Sequence, residues 1–464
     1  MIRAAIRFLD QRAGAGSVLG KALRYVFPDH WTFLFGEIAL YSFLILVATG
    51  VYLTLFFEPS SSQIVYHGSY APLHGQEVSK AYASAVDLSF DVRAGLLIRQ
   101  VHHWTALVFL AAIVLHLMRI FFTGAYRKPR DLNYYVGLTM LVLAVVEGYA
   151  GYSLLDDLLS GMGLAIGNAV ALSVPAVGGQ LATLVWGGPF PGTDAFFSRL
   201  YIAHVLIFPV LIGSLMALHL ALIAIPRHTQ FRGRGRREGN VVGTPLWPGY
   251  ALRSLGLFFA VAAVLFALGG LVQINPIWQW GPYEPYLGTN GAQPDWYLGW
   301  LIGALRLMPH FDVVIGNYTL IPNPFWGGIL FPAVVFGFLY SWPALERRLG
   351  GDRAQHNLLD RPRDNPRRTA IGAAVFAWVA TIFFAGAADR AFVQLGVPYE
   401  GQLWGYRAAS IVVPIAVYLL SKRVCEALRE TGAHPARGSA PVRLERNQAG
   451  GVSPRPPRGT GTVR

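Results

Sequence analysis

The chain has 464 residues, of which 54% are hydrophobic and only 14% are charged, and its net charge is +13. Soluble domains carry about 25% charged residues, so this composition indicates an integral membrane protein. The positive charge does not indicate nucleic-acid binding, because the basic residues lie between apolar stretches, where they set topology and meet anionic headgroups.

Apolar stretches long enough to cross a bilayer as helices recur eight times along the chain. They are preceded by a segment, 1–31, in which apolar residues and arginines alternate with the spacing of an amphipathic helix on the membrane surface. A ninth apolar stretch, 164–188, is interrupted by proline and glycine and predicts a pair of short interfacial helices. The eight predicted spans are roughly 32–57, 95–122, 134–155, 199–225, 250–272, 325–342, 369–388 and 405–421.

The distribution of basic residues predicts the orientation of these spans. If 164–188 does not cross, 20 lysines and arginines lie in the N-terminal segment and in the connections after spans two, four and six, against 5 in the alternate connections. Because cytoplasmic loops carry the excess of positive charge, we expect both termini on the cytoplasmic side. The tail, 426–464, is rich in proline, glycine and arginine and is predicted to be disordered.

Two predicted spans each carry one histidine near either end. His102 and His116, 14 residues apart, lie within about 40° of one face of a helix, and His204 and His219, 15 apart, within about 60°. Both spans run inward, so the outer pair is His102 with His204 and the inner pair is His116 with His219. Two facing imidazoles form the axial ligand set of a b-type haem, which predicts two haems in a four-helix bundle. His103 is expected to be a polar neighbour.

Glycines repeat the histidine interval on the two flanking spans. Gly36 and Gly50 are 14 residues apart in the first span, and Gly137 and Gly151 are 14 apart in the third. Glycine allows another group to approach the backbone closely, so we expect a flat macrocycle to press on these positions. Gly36 and Gly137 would lie beside the inner haem, and Gly50 and Gly151 beside the outer haem.

Arginines flank the histidines at both ends of the second span. Arg99 lies three residues before His102, and Arg119 lies three residues after His116, so each can reach a haem propionate on its own side of the membrane. Other interpretations stay open at this point. A membrane histidine also serves as a proton relay, small residues also serve helix packing, and arginines at helix ends also reach the headgroups.

These patterns resemble cytochrome b, the haem-bearing subunit of quinol:cytochrome c oxidoreductase, in its Gram-positive bacterial form. The resemblance covers roughly residues 20–425 and includes "GYSLLDDLLSG" at 151–161, "WGG" at 186–188 and "QPDWYLGW" at 293–300. It implies an all-α integral membrane protein with eight transmembrane helices. The implied regions are the cytoplasmic segment 1–31, a di-haem four-helix bundle at 32–230, a C-terminal four-helix region at 231–425 and the tail 426–464.

The resemblance also implies an activity, an oxidoreductase and translocase of the respiratory chain in a bacterial plasma membrane. A quinol, menaquinol in this branch, is oxidised at an outer site. One electron goes to a Rieske iron–sulfur subunit, and the other passes through two haem b groups to a quinone at an inner site, as in the Q cycle. Further implied partners are a c-type cytochrome subunit, a second copy in a homodimer of the complex, membrane lipids and, as an option, a terminal oxidase in a supercomplex.

The outer quinol site is expected at Pro294-Asp295-Trp296-Tyr297, where many relatives carry Pro-Glu-Trp-Tyr. Asp295 is expected to accept a proton from quinol, and Tyr297 to orient the quinol or the carboxylate. Pro294 and Trp296 would bind the quinone ring. Aspartate keeps the carboxylate but shortens its reach by one methylene. In the alternative interpretation Asp295 only caps the turn after Pro294, and the base is one of two other acidic residues, Glu147 and Glu284.

The inner quinone site is less sharply predicted. His228 follows the fourth span and could donate a proton to reduced quinone, in a neighbourhood expected to include Arg24, His30 and Glu238. A loop histidine that is merely solvated is the alternative. Two other functions compete with the family interpretation. They are a di-haem membrane anchor of a dehydrogenase or hydrogenase, and a secondary transporter that uses intramembrane histidines as a proton relay.

Overall fold

The computed structural model describes residue 20, residues 22–287 and 294–433, and the short segments 444–446 and 452–454. The amphipathic pattern predicted within 1–31 falls mainly on residues 1–19, which lie outside the described residues. Eight helices in the described part are long and apolar enough to cross a membrane, which confirms the predicted all-α fold. They are Trp31–Thr54, Gly95–Thr123, Asp131–Leu155, Asp194–Ala224, Leu246–Leu271, Trp326–Gly350, Pro366–Gly386 and Tyr399–Thr431.

Several helices continue past the apolar stretches that predicted them. The sixth span extends to Gly350, whereas its apolar stretch ends near 342. Its polar end stays helical because Glu346 pairs with Arg368 at 2.7 Å and Arg347 pairs with Asp131 at 3.0 Å. The last helix, Tyr399–Ala433, also continues beyond residue 425, where the tail was expected to begin; most of that tail lies outside the described residues.

The stretch 164–188 does not form a span in the structure. It falls on two helices, Leu158–Leu172 and Gly178–Trp186, that are both too short to cross a bilayer. Asp157 caps the first of them by accepting a hydrogen bond from the backbone nitrogen of Leu159 at 3.2 Å. The prediction of short helices in place of a crossing is therefore confirmed by the helix lengths.

The connection between the first and second spans folds into a small module that the sequence analysis did not predict. It contains the antiparallel strands Gln63–Val65 and Glu77–Ser79, followed by the helix Lys80–Phe90. The buried Tyr82 donates a hydrogen bond from its hydroxyl to the carbonyl of Ile277 at 3.2 Å. This bond attaches the module to the connection after the fifth span.

Short elements complete the connections between the spans. A parallel strand pair, Gln230–Phe231 with Leu358–Leu359, joins the two longest basic connections. The antiparallel pairs are Val26–Phe27 with Thr244–Pro245, Val313–Ile315 with Tyr318–Ile321, and Leu444–Arg446 with Val452–Pro454. Further short helices are Ile277–Trp280, Gly299–Leu307 and Ala388–Phe392.

The first four spans pack around a common apolar core. Its buried residues include Phe109 and Leu110 of the second span, Leu141 of the third and Ile212 of the fourth. Tyr297, from the connection between the fifth and sixth spans, belongs to the same core and is 3% exposed. The packing therefore brings the segment of the predicted quinol site into the bundle that carries the histidines.

Candidate functional site

The structure brings the four span histidines together in two facing pairs. The ring centroids of His102 and His204 lie 6.2 Å apart, and those of His116 and His219 lie 6.3 Å apart. Metal–imidazole bonds are about 2 Å long, so two imidazoles on opposite sides of one metal ion have ring centres about 6 Å apart. Both pairs therefore have the spacing that axial ligation of a haem iron requires.

The helix geometry explains why the two histidine intervals differ by one residue. The second span is a regular helix, Gly95–Thr123, and spaces its histidines 14 apart. In the fourth span a π-helical turn, Ala203–Ile207, contains His204. The backbone hydrogen bonds of a π-helical turn join residues five apart instead of four, so the turn accommodates one extra residue. The 15 residues from His204 to His219 therefore cover the same length of helix as the 14 residues from His102 to His116. The unequal interval was the sequence signal for this turn.

A side-chain oxygen lies close to the Nδ1 atom of each histidine of the outer pair. Thr49 Oγ1 lies 2.9 Å from His102 Nδ1 and donates its own hydrogen to the carbonyl of Ile45 at 2.7 Å, so it accepts from the imidazole. Glu147 Oε1 lies 3.0 Å from His204 Nδ1, within ion-pair distance but without hydrogen-bond geometry. Metal-bound histidines commonly place their second nitrogen against such groups, which leaves Nε2 available as the ligand atom.

Each of the four predicted glycines lies against one imidazole ring. A β-carbon on Gly36 would lie 3.1 Å from His116, and one on Gly50 would lie 3.3 Å from His102. A β-carbon on Gly137 would lie 3.5 Å from His219. At Gly151 it would collide with the ring of His204. Each imidazole of the two histidine pairs therefore packs against one of the four predicted glycines.

The two flanking arginines are buried and keep free nitrogens. Arg99 donates from Nη1 to the carbonyl of Asn275 at 3.1 Å, and the guanidinium of Arg119 lies 4.3 Å from the ring centre of Phe33. The Nε and Nη2 atoms of both arginines are buried and without a hydrogen-bond partner among the described residues. Buried guanidinium N–H groups need hydrogen-bond acceptors, and a haem propionate on each side would supply them. The residues present therefore fit two haems.

Of the four predicted quinol-site residues, Asp295 and Tyr297 line a cavity of about 250 Å³ at the outer pair, whereas Pro294 and Trp296 do not line it. The cavity is lined by His102 and His204 together with His103, Asp295 and Tyr297. Asp295 makes no side-chain capping hydrogen bond to the backbone of the turn that follows it. His103 Nε2 instead lies 2.8 Å and 2.9 Å from its two carboxylate oxygens. His103, expected only as a polar neighbour, is thus a direct partner of Asp295.

Tyr297 fits into the bundle because of a glycine that was not among the residues predicted from the sequence. A β-carbon on Gly148 would lie 2.8 Å from the Tyr297 hydroxyl, so the tyrosine needs glycine in the third span. Burial, reinforced by the negative charge of Asp295, raises the pKa of Tyr297 well above its usual value. Its hydroxyl is consequently a neutral donor at physiological pH. Trp296 is 37% exposed and contacts Tyr297 edge to face at 6.2 Å.

His228 lies among aromatic rings in the structure. Its ring centre is 4.8 Å from that of Phe27 and 5.8 Å from that of Tyr25. Burial, with smaller contributions from Arg119 and Arg130, lowers the pKa of His228 to about 4. The imidazole is therefore half-buried and neutral, which does not match the alternative of a merely solvated loop histidine.

The other residues expected around the inner quinone site make contacts that do not point to a shared quinone-binding role. His30 contacts Phe231, with ring centres 4.4 Å apart, but Glu238 accepts a hydrogen bond from the backbone nitrogen of Leu358 at 3.0 Å. Glu238 thus holds together the two basic connections. Arg24 lies near Gly20, where a β-carbon would lie 3.8 Å from its Nη2.

Two acidic residues between the third span and the next helix were not singled out by the sequence analysis. Asp156 adopts a left-handed backbone conformation with φ of 52°, and Asp157 is completely buried. Burial raises the pKa of Asp156 to about 7 and that of Asp157 to about 6. The sequence signal for these two residues was the "DD" pair inside an apolar stretch. Burying a carboxylate costs free energy, so two adjacent aspartates in such a stretch indicate a special role.

Comparisons with known proteins agree on one family. A family model described as cytochrome b(N-terminal)/b6/petB matches residues 107–282. The chain is 47% identical over 424 residues to the cytochrome bc1 complex cytochrome b subunit of Mycobacterium tuberculosis. The aligned region covers 91% of this chain and 77% of that protein. Its identity to the protein of the same name from Streptomyces coelicolor is 45% over 420 residues, or 90% and 77% of the two chains.

The fold is also similar to that of a solved structure. A chain of a hyperthermophilic respiratory complex III superimposes with a TM-score of 0.63 and 19% sequence identity. The match covers 89% of this chain and 99% of that chain. At this level of identity the likeness concerns the fold.

Proposed function

The chain belongs to the cytochrome b family and is the cytochrome b subunit of a bc1-type respiratory complex III, and from this premise we propose its individual steps. It oxidises a quinol, menaquinol in this branch, at an outer site beside His102 and His204, and reduces a quinone at an inner site beside His116 and His219. Membership of this family rules out the secondary transporter and the di-haem dehydrogenase anchor as interpretations.

The observation that supports this proposal most strongly is the pair of facing imidazoles at two levels of one bundle, 6.2 Å and 6.3 Å apart. His102 and His204 would hold the outer haem b, and His116 and His219 the inner one. When bound, these haems supply one-electron transfer between the two sides of the membrane. The buried Arg99 would contact a propionate of the outer haem.

Arg119 would contact a propionate of the inner haem in the same way, because its guanidinium also keeps buried nitrogens without a partner among the described residues. Gly36 and Gly137 make room for the inner imidazoles, and Gly50 and Gly151 for the outer ones.

At the outer site the chain must remove protons from quinol while the electrons leave. Asp295 is placed at the cavity wall as a proton acceptor, and the neutral hydroxyl of Tyr297 orients the quinol or the carboxylate. Pro294 and Trp296 directly flank Asp295 in the chain and would bind the quinone ring. The first electron would go to a Rieske subunit, as in the family, and the released protons to the outer side.

At the inner site His228 is the candidate proton donor to reduced quinone. Its pKa of about 4 means that the imidazole is neutral in the resting protein. The aromatic rings of Phe27, Tyr25 and Phe33 around it offer an apolar surface to a quinone ring. The excess of basic residues in the connections on this side supports a cytoplasmic position for it and for both termini.

Purification of the complex from its native membrane tests the proposal. We expect two haem b groups per copy of this chain, a Rieske iron–sulfur subunit, a c-type cytochrome and quinol:cytochrome c activity. His102→Ala or His204→Ala should remove the outer haem, and His116→Ala or His219→Ala the inner one. His103→Ala should keep both. Retention of two haems in His102→Ala together with loss of one in His103→Ala would overturn the ligand assignment.

A further inference from the structure

We infer that His103 is a positioning residue of the outer quinol site, which holds the carboxylate of Asp295 in place for proton transfer. This inference rests on the proposed role of Asp295. It assigns to His103 a function distinct from that of its neighbour His102, although the two adjacent histidines are equivalent as residue types.

The contact is a two-oxygen clamp between distant parts of the chain. His103 Nε2 lies 2.8 Å from Asp295 Oδ1 and 2.9 Å from Oδ2, and both side chains are only 14% exposed. An imidazole N–H shared by two carboxylate oxygens fixes both the position and the plane of the carboxylate, and its shielding from solvent strengthens the bond.

The backbone around Asp295 does not supply this orientation. Asp295 precedes the short 3-10 turn Trp296–Leu298 and makes no side-chain capping hydrogen bond to it. Its side chain is one methylene shorter than the glutamate of many relatives. His103, within the regular helix Gly95–Thr123, provides a partner from a distant part of the chain.

The placement of the clamp relates it to the reaction site. His103 and Asp295 line the same cavity as His102 and Tyr297. Since His103 directly follows His102, the position of the carboxylate is tied to that of the outer pair. A general base must first be placed correctly, and a displacement of about 1 Å can cost about 100-fold in rate.

The first test compares two substitutions of His103 in the purified complex. His103→Gln keeps an N–H donor at a similar reach, and His103→Leu keeps the approximate volume without a donor. We expect His103→Leu to lower kcat about 10- to 100-fold with little change in KM for quinol, and His103→Gln to stay within about threefold of wild type. Both variants should show unchanged haem spectra. The exposed His67→Leu is the matched control and should behave as wild type.

The second test asks whether His103 acts through Asp295. In the Asp295→Asn background, His103→Leu should cause no further loss of kcat, because the carboxylate that it positions is already absent. Multiplication of the two losses would overturn the inference, as would wild-type turnover of His103→Leu or equal loss in His103→Gln and His103→Leu. Wild-type turnover of Asp295→Asn alone would instead overturn the proposed function of Asp295.

Discussion

Gly151 lies so close to His204 that a β-carbon on the glycine would collide with the imidazole ring. The contact joins the third and fourth spans at the level of the outer pair. The same relationship links Gly36 to His116 at the other level, where a β-carbon would lie 3.1 Å from the ring. Backbone atoms at these positions therefore form one wall of each histidine site.

Leucine at these glycines should displace one haem selectively. Gly151→Leu would push the ring of His204 out of line and should abolish or strongly shift the outer haem signal, while Gly36→Leu should do the same to the inner haem. Gly256→Leu is the control, because nothing lies within 4 Å of a β-carbon there. Reduced-minus-oxidised spectra with redox titration measure both haems. Two unaltered haems in Gly151→Leu and Gly36→Leu would contradict the close-approach argument.

Because of the π-helical turn in the fourth span, deleting one residue and inserting one residue there should affect haem binding differently. Deleting Leu206 should convert the turn Ala203–Ile207 into a regular one and leave His204 and His219 on the same face. Inserting one alanine after Leu211 should rotate one histidine by about 100° relative to the other and eliminate a haem. The haem count of the purified variants is the measurement. If the insertion keeps two haems, or the deletion loses both, the π-turn does not set the register.

Removing the carboxylate of Asp295 should stop quinol oxidation without disturbing the haems. Asp295→Asn keeps the side-chain shape but cannot accept the proton, so turnover should fall by about 100-fold or more. Asp295→Glu is the control that keeps a carboxylate and should retain far more activity. Steady-state quinol:cytochrome c activity across pH measures the effect. A wild-type rate and pH profile in Asp295→Asn would transfer the role to Glu147 or Glu284.

Asp157 predicts a pH dependence of stability. Its pKa is raised by burial to about 6, so the folded chain favours the protonated form. The contribution of protonated Asp157 to the free energy of unfolding is fully present below about pH 4, the pKa of an unfolded aspartate. It is lost as the pH rises through 6. Asp157→Asn keeps the cap on helix Leu158–Leu172 without the charge, so it should unfold at a higher temperature than wild type at pH 8.

Thermal unfolding of the detergent-solubilised complex between pH 4.5 and 8 measures this effect. The midpoint of wild type should fall relative to that of Asp157→Asn as the pH rises, whereas the exposed Glu77→Gln should follow wild type. Parallel curves for wild type and Asp157→Asn would show that Asp157 is charged in the fold throughout this range.

The number of spans, the short helices at 164–188 and the grouping of four histidines into two levels could be predicted from the sequence. The reason is physical, since length, hydropathy and the 100° turn of a helix are local properties that a lipid environment makes decisive. His102 and His116 share a face whatever else the chain does. The family resemblance then followed from those residues and a few short motifs.

Only the tertiary structure decided which groups meet across the bundle. His103 and Asp295 are 192 positions apart, and no periodicity relates them. The same holds for Glu147 beside His204 and for Gly148 beneath Tyr297. Helix length and polarity restrict rotation about the axis only loosely, so such contacts arise from how side chains of different spans interlock. The sequence by itself determined which residues can reach the haem sites, and the packing of the spans determined which of them touch.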